Sequence, residues 1–112
     1  TPQRLHDDIL LGCRIVTELG ADAIKTFHTI DFTAVTSSCP VPVFGLGAER
    51  LPTQRDALEL AAREVADGAR GVVFGRNAIQ VPDPMAFQAA LCEVVKRGTP
   101  VDEAVAAHGL DS

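Results

Sequence analysis

Twice in this chain a helical stretch ends in Gly-Ala and runs straight into a short apolar segment. Gly20-Ala21 leads into Ala21 to Phe27, and Gly68-Ala69 leads into Gly71 to Phe74. Glycine directly after a periodic helix supplies the left-handed residue that ends it, and the apolar run after it reads as a strand. Between the two lies a third strand segment, Val41 to Leu46, bounded by Pro40 and Gly47. Pro42 within that run weakens its hydrogen-bond ladder. Three short apolar strands, each followed by a helical pattern, require crossover connections, and therefore a parallel sheet of the α/β class.

The helices follow from the same periodicity. Ile9, Leu10, Cys13, Val16 and Leu19 recur at helical spacing within Leu5 to Leu19. A short helix is expected over Phe32 to Thr36. Thr53 to Ala66 reads as a helix with Thr53 as its N-cap, and Met85 to Lys96 as one opened by Asp83-Pro84 and closed near Gly98. Val101 to Ala107 adds a last short helix. The series Arg50, Arg55 and Arg63 reads as a solvated face.

Composition excludes several functions. A formal charge of -5 with no basic stripe argues against holding a nucleic-acid backbone. No apolar run approaches the roughly 20 residues of a membrane span, and Thr1 to Asp8 lacks the basic and apolar regions of a secretion signal. Cys13, Cys39 and Cys92 are odd in number and without metal-ligand spacing, which points to reduced packing thiols and a cytoplasmic location. No metal and no cofactor is implied.

Against this background Lys25 stands out. The stretch Gly20 to Asp31, GADAIKTFHTID, sets an ammonium among alanine, isoleucine and phenylalanine in what reads as a buried strand. Aligning the two Gly-Ala pairs sets Lys25 opposite Val73. By strand alternation Ala21, Ala23, Lys25 and Phe27 share one face, and Asp22, Ile24 and Thr26 the other. In a (β/α) barrel, active sites gather at the C-terminal ends of the strands, and Lys25 is near such an end. The other two strands finish in Gly45-Leu46-Gly47-Ala48 and Phe74-Gly75-Arg76-Asn77, turns whose backbone N–H groups can close around an anion. The layout is an amine beside a phosphate cradle. The plainer reading has Lys25 snorkelling from a strand end or pairing with Asp31, the glycine turns merely capping strands, and Arg76 on the surface. His28, three residues after Lys25, is within reach of a ligand there or faces solvent. His6 and His108 carry no signal.

The segments "ELGADAIKT", "CPVPV", "LP..RDALELA" and "GARGVVFGRNAIQ..DP" occur in the order found in the C-terminal half of the class I, Schiff-base-forming aldolases. The chain resembles most the group of archaeal-type fructose-bisphosphate aldolases, aminodideoxyheptulosonate synthases and the enzyme that processes the phosphorylated autoinducer-2 signal. The resemblance implies the last three strand-helix units of a (β/α)₈ TIM barrel, with residues 1–112 one incomplete segment of a single domain. It implies that Lys25, on the sixth strand, forms an imine with a substrate ketone, and that Gly47, Gly75 and Arg76 bind its phosphate, with the N–H of Ala48 also placed to donate. These relatives carry two adjacent glycines and then a lysine in the first turn; here Ala48 and Glu49 follow Gly47, and Glu49 repels an anion.

On this resemblance the activity is making or breaking a C–C bond in a phosphorylated ketone or aldehyde, or acyl transfer on a phosphorylated diketone. A barrel takes about 250 residues, and the relatives' proton-transferring tyrosine has no counterpart in a chain without tyrosine. The expected partners are the small-molecule substrate, the remainder of the barrel and, in a homo-oligomer, further copies. Two alternatives stay open: a non-catalytic phosphosugar-binding module, and a self-assembling half-barrel.

Overall fold

The structure, a computed structural model, describes residues 1–110. Helix α1 (Pro2–Glu18) starts at Thr1, whose hydroxyl accepts from the Arg4 N–H at 3.1 Å, with proline in the first turn where its missing N–H is not needed. It stops at Gly20, which takes φ 104°, and the Ala21 N–H returns to the Val16 carbonyl at 3.1 Å. Strand β1 (Ile24–Thr26) follows, then α2 (Phe32–Ser38), β2 (Val43–Leu46) and α3 (Gln54–Ala66). Helix α3 ends as α1 does. Gly68 takes φ 105° and the Ala69 N–H returns to Glu64 at 2.9 Å. The Gly-Ala repeat is thus one terminator used twice, each copy delivering the chain into a strand.

The second copy delivers it into β3 (Gly71–Val73), followed by α4 (Arg76–Ile79), α5 (Pro84–Arg97) and α6 (Val101–Ala107). The strands are shorter than their apolar runs. Pro42 lies just outside β2, where only its carbonyl is needed, and that carbonyl accepts from Ile24 N–H at 2.9 Å.

The three strands form one parallel sheet in the order β1-β2-β3. Lys25 is level with Phe44 and Phe44 with Gly71; one residue on, Thr26 is level with Gly45 and Gly45 with Val72. Level residues of parallel strands point to the same face. The helices cover one face only. Ile24, Val43, Phe32, Val35 and Cys13 form one apolar cluster, and Leu58, Phe87, Ala90 and Val94 another between α3 and α5. Phe32, Phe87 and Leu58 are completely enclosed, each worth about 1.5–3 kcal/mol of transfer free energy.

The other face is open. It carries Lys25, Phe44 and Leu46, and Val73 is 45% exposed on it. The alternation expected from the sequence holds, but the expected burial of Lys25 does not: Ile24 and Thr26 are buried and Lys25 is exposed. Parity distinguishes the two faces of a strand without saying which is covered. Lys25 and Val73, equivalent in the repeat, both lie on the open face.

Candidate functional site

Lys25 begins the site. Its row on the open face continues through Phe44 to Gly71, and the Phe44 ring lies over Gly71, where an added Cβ would meet it at 3.2 Å. The ring thus leans toward β3, on the side of β2 away from Lys25. Among the described residues Lys25 forms no ion pair with Asp31.

Three residues beyond Phe44 the chain leaves β2 in the turn Gly47-Ala48-Glu49. At about 3.3 Å per residue and 4.8 Å between strands, this turn starts roughly 11 Å from the Lys25 backbone. A lysine side chain plus a small ligand spans that distance. The turn is tightly held. An added Cβ on Gly47 would meet the Asn77 amide at 2.9 Å and the Phe74 ring at 3.0 Å, so a side chain there would have to displace one of them. Ala48 has φ 55°, the left-handed region in which a Cβ is strained.

Asn77 organises the turn. It is buried, its Nδ2 donates to the Gly47 carbonyl at 3.2 Å and to the Glu49 carbonyl at 3.0 Å, and its Oδ1 accepts from the Leu51 N–H at 2.7 Å. Arg76 is exposed, and its guanidinium donates to the Ala48 carbonyl at 3.3 Å. Gly75, just before it, faces open space, with nothing within 4 Å of an added Cβ. The structure therefore brings Gly47, Ala48, Gly75 and Arg76 together at one edge of the sheet, past the C-terminal ends of β2 and β3. Lys25 stands on the neighbouring strand, on the face open to solvent. The sequence marks Asn77 only by its chemistry, a residue with two donors and an acceptor directly after the Gly-Arg pair.

His28 lies elsewhere. Its Nε2 is 2.8 Å from the Asp67 carboxylate at the end of α3, and its ring packs on Phe32 at 5.0 Å. This fastens the segment after β1 to α2 and α3. His6 is buried and its Nδ1 meets the Thr29 hydroxyl at 2.8 Å, tying α1 to the same segment. Both histidines have structural partners. A cavity of about 300 Å³ opens behind the turn, lined by Leu51, Gln54, Asn77, Asp83 and His108, and Lys25 does not line it. Among the described residues no three His, Cys, Asp or Glu side chains converge as a metal site, and no helix is long and apolar enough to cross a membrane.

Over 95 residues the chain is 40% identical to a 3-hydroxy-5-phosphonooxypentane-2,4-dione thiolase of Enterobacter sp. (strain 638), covering 84% of this chain and 32% of that protein. Its fold matches the crystal structure of an archaeal fructose 1,6-bisphosphate aldolase with a TM-score of 0.75 and 33% identity, covering 85% of this chain and 38% of that one. The chain is homologous to the class I aldolases. An uncharacterized aldolase of Pasteurella multocida is 39% identical over 95 residues, 84% of this chain and 32% of its own. A Schiff-base-forming fructose-1,6-bisphosphate aldolase, solved as reaction intermediates, matches with a TM-score of 0.74 and 35% identity over 78% of this chain and 36% of that one. No family model matches the chain. The chain spans about a third of the length of the curated relatives it matches.

Proposed function

We propose that this chain is the lysine-bearing, phosphate-binding portion of a class I aldolase-type enzyme, the last three strand-helix units of a (β/α)₈ barrel. The observation that carries the reading is the placement of Lys25 on the open sheet face, one strand from a turn that Asn77 and Arg76 hold in shape. In the complete barrel the open face becomes the interior. The remaining strands cover it and exclude water from the space around the amine.

The amine attacks a ketone carbonyl, and loss of water leaves a protonated imine. That cation withdraws the electron pair of the adjacent C–C bond as the bond breaks, and returns the pair to carbon when a bond is made. Backbone N–H groups at Gly47, Ala48 and Gly75, with the Arg76 guanidinium, hold the substrate phosphate. Binding energy from that remote group fixes the carbonyl against the amine. The lysine-to-turn spacing of roughly 11 Å suits a ketone of a few carbons bearing a terminal phosphate. Glu49, exposed beside the turn, weakens the site for a doubly charged anion.

Identity to the thiolase supports a second reaction on the same imine, acyl transfer from a phosphorylated diketone. Borohydride reduction of the full-length polypeptide with a panel of phosphorylated ketones and diketones tests the reading. It expects a covalent adduct on the peptide containing Lys25, and absence of any adduct across the panel contradicts it.

A further inference from the structure

Cys13 and Cys39 lie 26 positions apart in the chain yet pack into one apolar cluster with Ile24, Val35 and Val43. Cys13 is on α1, and Cys39 is the residue that ends α2. Cys13 is buried close to Cys39 and to Thr26, the residue after Lys25, near enough that both act on its thiol. The two sulfurs differ in access. Cys39 lines a cleft of about 190 Å³ together with Thr36, Pro40, Val43, Gly68 and Arg70, whereas Cys13 is buried and does not line it. Arg70 lines the same cleft and places a positive charge at its rim. Burial pushes the Cys13 thiol up, so Cys13 is slow to react until an electrophilic sulfur stands beside it.

We propose that Cys39 and Cys13 are a peroxide-reactive dithiol, in which Cys39 is oxidised first from the cleft and Cys13 then closes an intramolecular disulfide. The Cys39 thiolate attacks one oxygen of hydrogen peroxide; the O–O bond breaks, a sulfenic acid forms and hydroxide leaves, taking up the thiol's proton as water. The Cys13 sulfur then attacks the Cys39 sulfur. The S–O bond breaks as the S–S bond forms, and the departing hydroxyl takes the Cys13 proton as a second water. Two thiols are oxidised and one peroxide is reduced.

The consequence is topological. The bridge joins the helix before β1 to the connection after α2, so the closed loop contains the whole of β1 and with it Lys25. Cys92, exposed on α5, belongs to neither end and is the internal control. This inference is independent of the proposed imine chemistry, because it concerns sulfurs on the helix side of the sheet.

The test uses the full-length polypeptide, reduced, exposed to hydrogen peroxide, alkylated and mapped without reductant. The expected product is a linked pair of peptides containing Cys13 and Cys39, about 2 Da lighter than their sum. It reverts with dithiothreitol, and Tm rises by several degrees on oxidation. In Cys13→Ser, dimedone labels Cys39 as a persistent sulfenic acid; in Cys39→Ser, Cys13 stays an alkylatable thiol. Cys39 left unoxidised, Cys39 carried to sulfinic acid beside a free Cys13, or crosslinks through Cys92 alone would each overturn the proposal. The wild-type peptide map decides the matter even if a serine variant does not fold.

Discussion

The Glu64 carboxyl occupies the space directly over Gly45: a Cβ on Gly45 would stand 2.2 Å from the Glu64 Cδ. Glu64 is completely buried on α3, and neither carboxyl oxygen has a hydrogen-bond partner. A missing side chain in the middle strand and a carboxylic acid in the helix layer are thus two halves of one packing arrangement. Burial pushes the acid up to about 8, against a smaller opposing pull from Arg63. At neutral pH it is therefore held mainly as the neutral acid, the form that tolerates an apolar site.

The sign of the pH dependence follows. Between the ordinary carboxylate value near 4.5 and about 8, the folded chain binds a proton at Glu64 that the unfolded chain has released. Stability from this group is complete below 4.5 and is lost as pH rises toward 8, by about 3 kcal/mol between pH 4.5 and 7. Urea unfolding across that range, compared between the wild type and Glu64→Gln, isolates the effect: the difference between the two curves slopes with pH and the variant's own Glu64 contribution vanishes. The same pair gives a double-mutant cycle. Gly45→Ala destabilises by about 1–2 kcal/mol through overpacking, and that penalty disappears in Glu64→Ala.

Ala48 supplies a stabilising change. Its φ of 55° strains an L side chain, and glycine adopts it freely. Ala48→Gly is expected to raise stability by about 0.5–1 kcal/mol, read as a higher urea midpoint at unchanged slope. Ligand affinity is unaffected, because the N–H remains.

Asn77→Ala removes three hydrogen bonds from a buried clamp and strands two carbonyls and an N–H. The expected loss is about 2–3 kcal/mol, with faster hydrogen exchange at the Leu51 amide than at β2 amides. Equal exchange changes throughout the sheet would mean that Asn77 acts on the fold as a whole and not on the turn.

Arg76→Ala separates binding from folding. The side chain is exposed and makes one long hydrogen bond, so stability changes by less than about 0.5 kcal/mol. In the full-length enzyme KM for a phosphorylated substrate rises about tenfold or more, while an unphosphorylated analogue is little affected. Equal effects on both substrates would remove Arg76 from the proposed phosphate site.

How much of this was legible in the sequence depends on distance along the chain. The Gly-Ala terminators, the Thr53 cap that accepts from Asp56 N–H at 3.0 Å and the strand parity around Lys25 are local, and each was readable. The covered face was not, because parity is symmetric until helices pack on one side. Helix α4, four residues long, is too short to show a period. Pairs such as His28 with Asp67 and Arg55 with Asp102 join residues 39 and 47 apart, a separation to which no local pattern is sensitive. Glu64 does leave a trace in the sequence: it continues the buried stripe of Ala57 and Ala61 at helical spacing, where an isolated acid has to be explained. Asn77 left a weaker one, since its clamp joins two turns that meet only in the fold.

The account rests on Lys25 as the residue that bonds to substrate carbon. The most direct measurement is intact-mass and peptide analysis after borohydride trapping of the full-length polypeptide with a phosphorylated ketone, in the wild type and in Lys25→Arg. The prediction is one substrate-sized adduct on the Lys25 peptide of the wild type and none in the variant. An adduct of equal yield on another residue, persisting in Lys25→Arg, would contradict it.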